Sequence, residues 1–149
     1  MKYDIRKANR KDYPAILGLI KELAAYEEAE HKVINSVEKM EAEDDLFECF
    51  VAEKADGEIV GMALYYFTYY TWVGKSLYLD DLFVKEVYRG NHIGQNLLQK
   101  LFDIAKETKC NRLRWQVLNW NEPAIKFYEK LGVTIDKEWY NCDILAENI

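Results

Sequence analysis

Residues that announce a covalent scaffold or a metal centre are scarce: the 149 residues include three cysteines and two histidines. Cys49, Cys110 and Cys142 are odd in number, widely spaced and without a CxxC pair, which excludes a disulfide framework and a cysteine zinc site. Reduced, packed thiols are expected instead. His31 and His92 form no ligand cluster with them, so no metal is expected. Long apolar runs are also missing. None approaches the ~20 residues of a membrane span, and Met1-Lys-Tyr-Asp-Ile-Arg6 lacks the apolar stretch of a secretion signal. A cytoplasmic protein with no membrane contact is the expectation. Finally, there is no excess of positive charge. The net charge of −6 gives a nucleic-acid partner no electrostatic support.

What is present is enough for a core. Half of the residues are hydrophobic and 14% are aromatic, which suits one domain spanning 1–149. Acidic residues crowd the first third, from Glu22, Glu27 and Glu28 to Glu43, Asp44 and Asp45, a distribution that suits a cationic ligand.

Periodicity predicts a strand at Tyr3–Ala8, then a helix started by Asn9 or by Lys11-Asp12, with Pro14 in its first turn, and running to about Glu28. A short helix follows over Ser36–Ala42, capped by Ser36. Strands at Leu46–Glu53 and Glu58–Tyr70 join at Ala55-Asp56-Gly57, a hairpin signal. The turn at Trp72–Lys75 leads into an apolar strand at Ser76–Val84. The chain continues with a glycine-bearing turn at Arg89–Gly94, a helix over 93–107 and a strand at Arg112–Leu118. Asn121 then caps a helix carrying Pro123 and Tyr128, which Gly132 stops. Val133–Ile135 and Glu138–Leu145 read as closing strands. The pattern is an α/β domain of α+β type, with a mixed, largely antiparallel sheet flanked by helices.

A glycine turn that opens a helix presents free backbone N–H groups and the positive end of the helix dipole. Arg89-Gly-Asn-His-Ile-Gly94 is therefore suited to a pyrophosphate. The order of strand, Arg-x-x-x-x-Gly turn, helix, strand, Asn-containing turn and Phe-Tyr helix resembles the GNAT superfamily of acetyl-CoA-dependent N-acetyltransferases. More narrowly, Leu19-Ile-Lys-Glu-Leu-Ala24, Tyr65-Tyr-Phe-Thr68, Tyr78-Leu-x-Asp81, Tyr88-Arg-Gly90, Ile93-Gly94, Trp120-Asn-Glu-Pro123 and Phe127-Tyr128 resemble the spermidine/spermine N-acetyltransferase family. That family includes members acting on thialysine.

The resemblance implies a sheet splayed between two strands to admit acetyl-CoA, in a homodimer. It implies that Arg89, Gly90, Asn91, His92, Ile93 and Gly94 wrap the CoA pyrophosphate. Asn121 contacts the CoA arm and Tyr128 stands beside the thioester sulfur. Asp80 takes the place of the acidic residue that helps deprotonate the amine, while Glu27 and Trp72 line the amine channel. Two positions depart from the family pattern. His92 replaces the usual glycine of the turn, and Tyr70 stands where polyamine-active relatives often carry Asp.

The chemistry asks for these residue types. An alkyl amine has a pKa near 10.4, so only about one molecule in a thousand is neutral near pH 7.4 and a base must take its proton. Asp80 is the expected base, with Asp81 on the opposite face by strand alternation. Amides of Leu82, Phe83 and Val84, beside a bulge expected near Leu82 and Phe83, are placed to hold the thioester carbonyl. Tyr128 is the expected acid for the departing thiolate, and Trp72 offers cation–π contact to the amine. The expected reaction is acetyl transfer to a small cationic amine. The alternatives are a non-catalytic acetyl-CoA or polyamine sensor and an acetyltransferase of protein Lys or N-termini.

Overall fold

The computed structural model describes residues 1–149, which fall into two compact units, Met1–Gln116 and Val117–Ile149. The first unit carries the whole sheet. Its strands are β1 (Tyr3–Lys7), β2 (Glu48–Lys54), β3 (Ile59–Tyr70), β4 (Gly74–Val84) and β5 (Arg112–Trp115), in that spatial order. The first three pairings are antiparallel and β4–β5 is parallel, as expected for a mixed sheet.

Local chemistry explains the connections. Between β2 and β3, Gly57 takes φ +90° and donates to the Lys54 carbonyl, while Asp56 Oδ1 accepts from Glu58 N at 3.0 Å. Helix α1 (Tyr13–Tyr26) follows a capping box in which Asn9 and Asp12 exchange side-chain and backbone hydrogen bonds. Arg6 grips Asp12 through both terminal nitrogens, at 2.8 and 2.9 Å, and so ties β1 to the start of α1. Helix α2 (Val37–Ala42) is capped by Ser36 as expected, the Ser36 hydroxyl accepting from Lys39 N.

The helices cover the two faces of the sheet. On one face, Ile16 and Leu19 of α1 and Met40 of α2 pack with Val51, Met62, Leu64 and Phe83. The other face receives helix α3 (Ile93–Glu107), whose Ile93, Leu97, Leu98 and Leu101 are fully buried. Gly61 of β3 permits that approach. A Cβ there would meet Ile93 Cγ2 and the Phe83 carbonyl oxygen, each at 3.2 Å. Gly61→Ala is therefore expected to destabilise the protein by about 1–3 kcal/mol through overpacking, measurable by urea unfolding.

Strand β5 is shorter than the predicted Arg112–Leu118. Its pairing with β4 runs from Ser76↔Arg112 to Leu79↔Trp115 and stops where β4 bulges. Asp80–Val84 thus has β3 as its one strand neighbour, which leaves the β5 side of that stretch splayed.

In the second unit, helix α4 (Glu122–Lys130) starts at Asn121, whose side chain accepts from Ala124 N, and Gly132 follows it with φ +76°. The strands predicted at Val133–Ile135 and Glu138–Leu145 are absent. Trp139, Tyr140 and Ile144 are mostly exposed there, and an alternating pattern forms a strand only when a neighbour supplies the ladder.

Candidate active site

The site begins with an irregularity in β4. Leu64 pairs with Asp81 and Tyr65 with Leu79, so Asp80 is an extra residue with no partner on β3. This bulge lies two residues before the position expected at Leu82 and Phe83. Its cause is physical. Without it, strand alternation would send one of the two carboxylates toward α3, into the face that buries Leu77 and Leu79. The extra residue changes the phase, and Asp80 and Asp81 both turn to the α1 side. The expectation that Asp81 faces away from Asp80 is thereby corrected.

Both carboxylates line a cavity of about 510 Å³ whose other walls include Ile20, Met40, Phe47, Leu64 and Tyr66. An open groove of similar size between β1 and α3, lined by Tyr3, Asn96 and Lys100, holds none of the expected site residues. In the first cavity, apolar walls and crowded acids raise proton affinity together. Burial, then the charges of Asp80 and Glu27, push the Asp81 carboxyl up to about 7. Glu27, at the end of α1, is raised by burial and by Asp80. Asp80 is open to solvent at the cavity wall, yet enough protein surrounds it to raise its pKa as well. A hydrogen bond from the Tyr66 phenol pulls Asp80 partly back down. Tyr66 itself is pushed up to about 12, mainly by burial and then by Asp80. Its ring stacks on Tyr78 at 5.4 Å.

The glycine turn is built as its sequence suggests. Gly90 has φ +84°, and His92 takes the left-handed conformation at φ +61° as the N-cap of α3. A non-glycine residue there costs about 1 kcal/mol, and histidine is among those that tolerate it best. The first intrahelical bond of this end runs from Asn96 N to His92 O, so the N–H groups of Ile93, Gly94 and Gln95 open outward. Side chains hold the turn in place. The Tyr3 hydroxyl donates to Asn91 O at 3.1 Å and accepts from Asn96 Nδ2 at 2.7 Å, and Arg89 Nε donates to Val84 O at 3.0 Å. A Cβ on Gly94 would meet only Val84 Cγ2 at 3.8 Å, so packing does not require glycine there. Free amides at a helix N-terminus fit a pyrophosphate.

Other expected residues stand elsewhere. Trp72 occupies the β3–β4 turn, 85% exposed and outside the cavity lining. Tyr128 lies on α4, its ring 5.5 Å from that of Phe127. From the sequence Tyr66 had no role in the site, and its bond to Asp80 was missed. The register Tyr66↔Tyr78 carries that information, and only the structure supplies it.

A splayed mixed sheet, a glycine turn with open amides at a helix start and an acidic pocket on the adjoining strand are the features of an acyl-transfer enzyme that uses a CoA thioester. The chain belongs to the acetyltransferase (GNAT) family, whose profile matches residues 3–133, and it is an N-acetyltransferase. It is 40% identical to the thialysine N-epsilon-acetyltransferase of Bos taurus, across 93% of this chain and 89% of that one. It is also 40% identical to the spermidine/spermine N(1)-acetyltransferase-like protein 1 of Homo sapiens, across 87% of this chain and 20% of that longer one. The crystal structure of the aminoglycoside acetyltransferase HMB0005, from an uncultured soil metagenomic sample, shares the fold. Its TM-score is 0.79 at 21% identity, with 97% of this chain and 100% of that one covered.

Proposed function

We propose that the protein transfers the acetyl group of acetyl-CoA to a primary amine of a small cationic acceptor, polyamine or thialysine-like. The observation that carries this reading is the placement of Asp80 and Asp81 in one apolar-walled cavity, with Glu27 adding to their field. Such a cavity attracts an ammonium ion and then removes its proton. A group with a pKa near 7 accepts a proton at neutral pH and releases it again, which an ordinary carboxylate does poorly. In place of Asp80, the base expected from the sequence, Asp81 receives the proton, because its carboxyl is the one pushed up to about 7, while Asp80, held by Tyr66, serves as the charged anchor.

Acetyl-CoA supplies the activated acetyl group. Arg89–Gly94 holds its pyrophosphate, and amides of Leu82, Phe83 and Val84 face the thioester. Asn121 contacts the CoA arm, and Tyr128 protonates or strongly hydrogen-bonds the departing thiolate. The working assembly is a homodimer, as the resemblance implies, and its compartment is the cytoplasm, as expected from the sequence.

Free-thiol release from acetyl-CoA across spermidine, spermine, thialysine, lysine and a histone-tail peptide tests the reading. Release with a small amine supports it. Release with the peptide alone assigns the protein-directed alternative, and acetyl-CoA binding without any release assigns the sensor. The cradle has its own test. Gly94→Glu adds a charge and bulk facing the pyrophosphate, in a helical first turn where an acid is favourable. Calorimetry is expected to show acetyl-CoA binding weakened at least roughly tenfold, about 1.4 kcal/mol, with Tm maintained. Unchanged affinity would remove the turn from the CoA site.

A further inference from the structure

The glycine turn contains one residue that has a reason to leave its conformation. His92 keeps φ at +61°, a region that disfavours any residue with a side chain. Turning a single peptide plane, that between Asn91 and His92, through half a rotation would relieve it. Such a flip changes only ψ of Asn91 and φ of His92, and it returns His92 to the extended region that any residue adopts. It also exchanges the two polar groups of that peptide. In a trans peptide the C=O and N–H point in opposite directions, and no peptide of the chain is cis. The flip would put the Asn91 oxygen where the His92 N–H had been, an acceptor in place of a donor.

Tyr3 stands against that flip. It is the first residue of β1, fixed by its pairing with Lys54. Its hydroxyl accepts from Asn96 Nδ2 at 2.7 Å, which commits the one hydroxyl proton to the other partner, Asn91 O at 3.1 Å. Asn91 is also held by its own side chain, whose Nδ2 donates to Tyr88 O at 2.9 Å. Tyr88 is anchored in turn on the β2–β3 hairpin: its hydroxyl donates to Glu58 Oε2 at 2.9 Å and its ring centre lies 4.9 Å from Lys54 Nζ. With the side chain of Asn91 tied down, the bond from Tyr3 decides which way its carbonyl points.

Taking the pyrophosphate reading of the turn as its basis, we propose that Tyr3 is a positioning residue for acetyl-CoA. Its hydroxyl holds the Asn91–His92 peptide with the His92 N–H, rather than the Asn91 oxygen, toward the pyrophosphate. The bond compensates for a histidine in a glycine position. Without it the turn divides between two orientations, and the competent one is the less favoured. Apparent affinity then falls in proportion to the competent fraction. Steps after binding are untouched, because Tyr3 lines the groove beside α3, whereas Asp80 and Asp81 line the cavity on the α1 side.

The test is a double-mutant cycle, read by calorimetric acetyl-CoA binding and by thiol release with spermidine and thialysine. Tyr3→Phe removes the hydroxyl alone, beside a groove where solvent can replace it, so Tm is expected to stay within about 2 °C. The dissociation constant of acetyl-CoA is expected to rise about fivefold, equivalent to ~1 kcal/mol. KM for the amine and kcat at saturating acetyl-CoA should not change. In a His92→Gly background, where positive φ carries no strain, the same Tyr3→Phe change is expected to cost less than about twofold. Asn96→Ala, which releases the hydroxyl proton from its direction without removing the phenol, should weaken acetyl-CoA binding in the same sense. Unchanged affinity in Tyr3→Phe, or in Asn96→Ala should the first variant be unstable, would overturn the proposal while leaving the turn in the CoA site. An equal loss in both backgrounds would overturn it too, since Tyr3 would then act without regard to residue 92. So would a matching fall in kcat, the mark of a general structural loss. Absence of acetyl-CoA binding by the unmodified protein would overturn the pyrophosphate reading itself, and this proposal with it.

Discussion

Asp81→Asn is expected to lower kcat for a saturating small amine by about two orders of magnitude, the usual contribution of a positioned base, with acetyl-CoA affinity unchanged. The pH dependence separates this from a merely structural loss. A base must be unprotonated to act, so kcat of the unmodified protein should rise with pH through about 7, where Asp81 titrates. That rise belongs to a cluster rather than to one group. The charged and titratable groups facing it are Glu27 from α1, Cys49 from β2, Tyr66 from β3 and Tyr78 on β4 itself, with Arg114 of β5 acting on Tyr78. Asp80→Asn removes a negative neighbour, so it should move the rising limb to lower pH. Asp81→Asn should abolish that limb. A limb that persists unchanged in Asp81→Asn would show that another group takes the proton.

The same substitution has a stability signature of the opposite sign. Asp81 binds its proton more tightly in the folded protein than in the unfolded chain, where its pKa is near 3.8. Its contribution to stability is therefore fully present below pH 3.8 and is lost as pH rises through about 7. At pH 8 the asparagine variant should melt higher than the parent, on the order of 3 °C for each kcal/mol relieved. A gain in Tm together with a loss of turnover identifies a group held in an unfavourable state for its chemistry.

Tyr128→Phe is expected to reduce kcat by roughly one to two orders of magnitude and to leave the acetyl-CoA dissociation constant within about twofold. Taking a free thiol near 8.5 and tyrosine near 10, full proton transfer from the phenol is uphill by about 2 kcal/mol. The phenol then acts mainly by hydrogen bonding as negative charge grows on sulfur. A group that acts at that stage lowers kcat without weakening the bound ground state. Equal turnover in the variant would remove Tyr128 from the chemistry, and a matching loss of affinity would make it a binding residue instead. Pre-steady-state acetyl transfer and equilibrium binding measure the two quantities directly.

Most of the architecture could be read from the sequence because its signals are local. Asp56-Gly57, Ser36, Asn121-Glu-Pro123 and the apolar period of 93–107 each correspond to an element whose ends fall where the residues indicate. The glycine turn was legible for the same reason, and its one departure from the family pattern, His92 in place of glycine, takes the left-handed conformation. The closing strands at 133–145 were misread because a strand depends on its neighbour, and no sequence window contains that neighbour. The relation of Asp80 to Asp81 was misread for a different reason. Alternation is a rule of regular strands, and a bulge is the local exception to it. Two adjacent acids in an otherwise apolar strand were the available clue, since a regular strand would have buried one of them among leucines.

The bulge also decides which kinds of sequence change β4 can accept. On either side of Asp80 the strand follows opposite parity: Leu77 and Leu79 face α3 before it, whereas Asp81 and Phe83 face α1 after it. Side-chain identity at position 80 can drift with modest effect on this arrangement. Chain length cannot. Removing one residue there would invert every position up to Val84, placing a carboxylate among leucines and Phe83 outside its own cluster. In this strand the count of residues, more than their nature, is what selection has to protect.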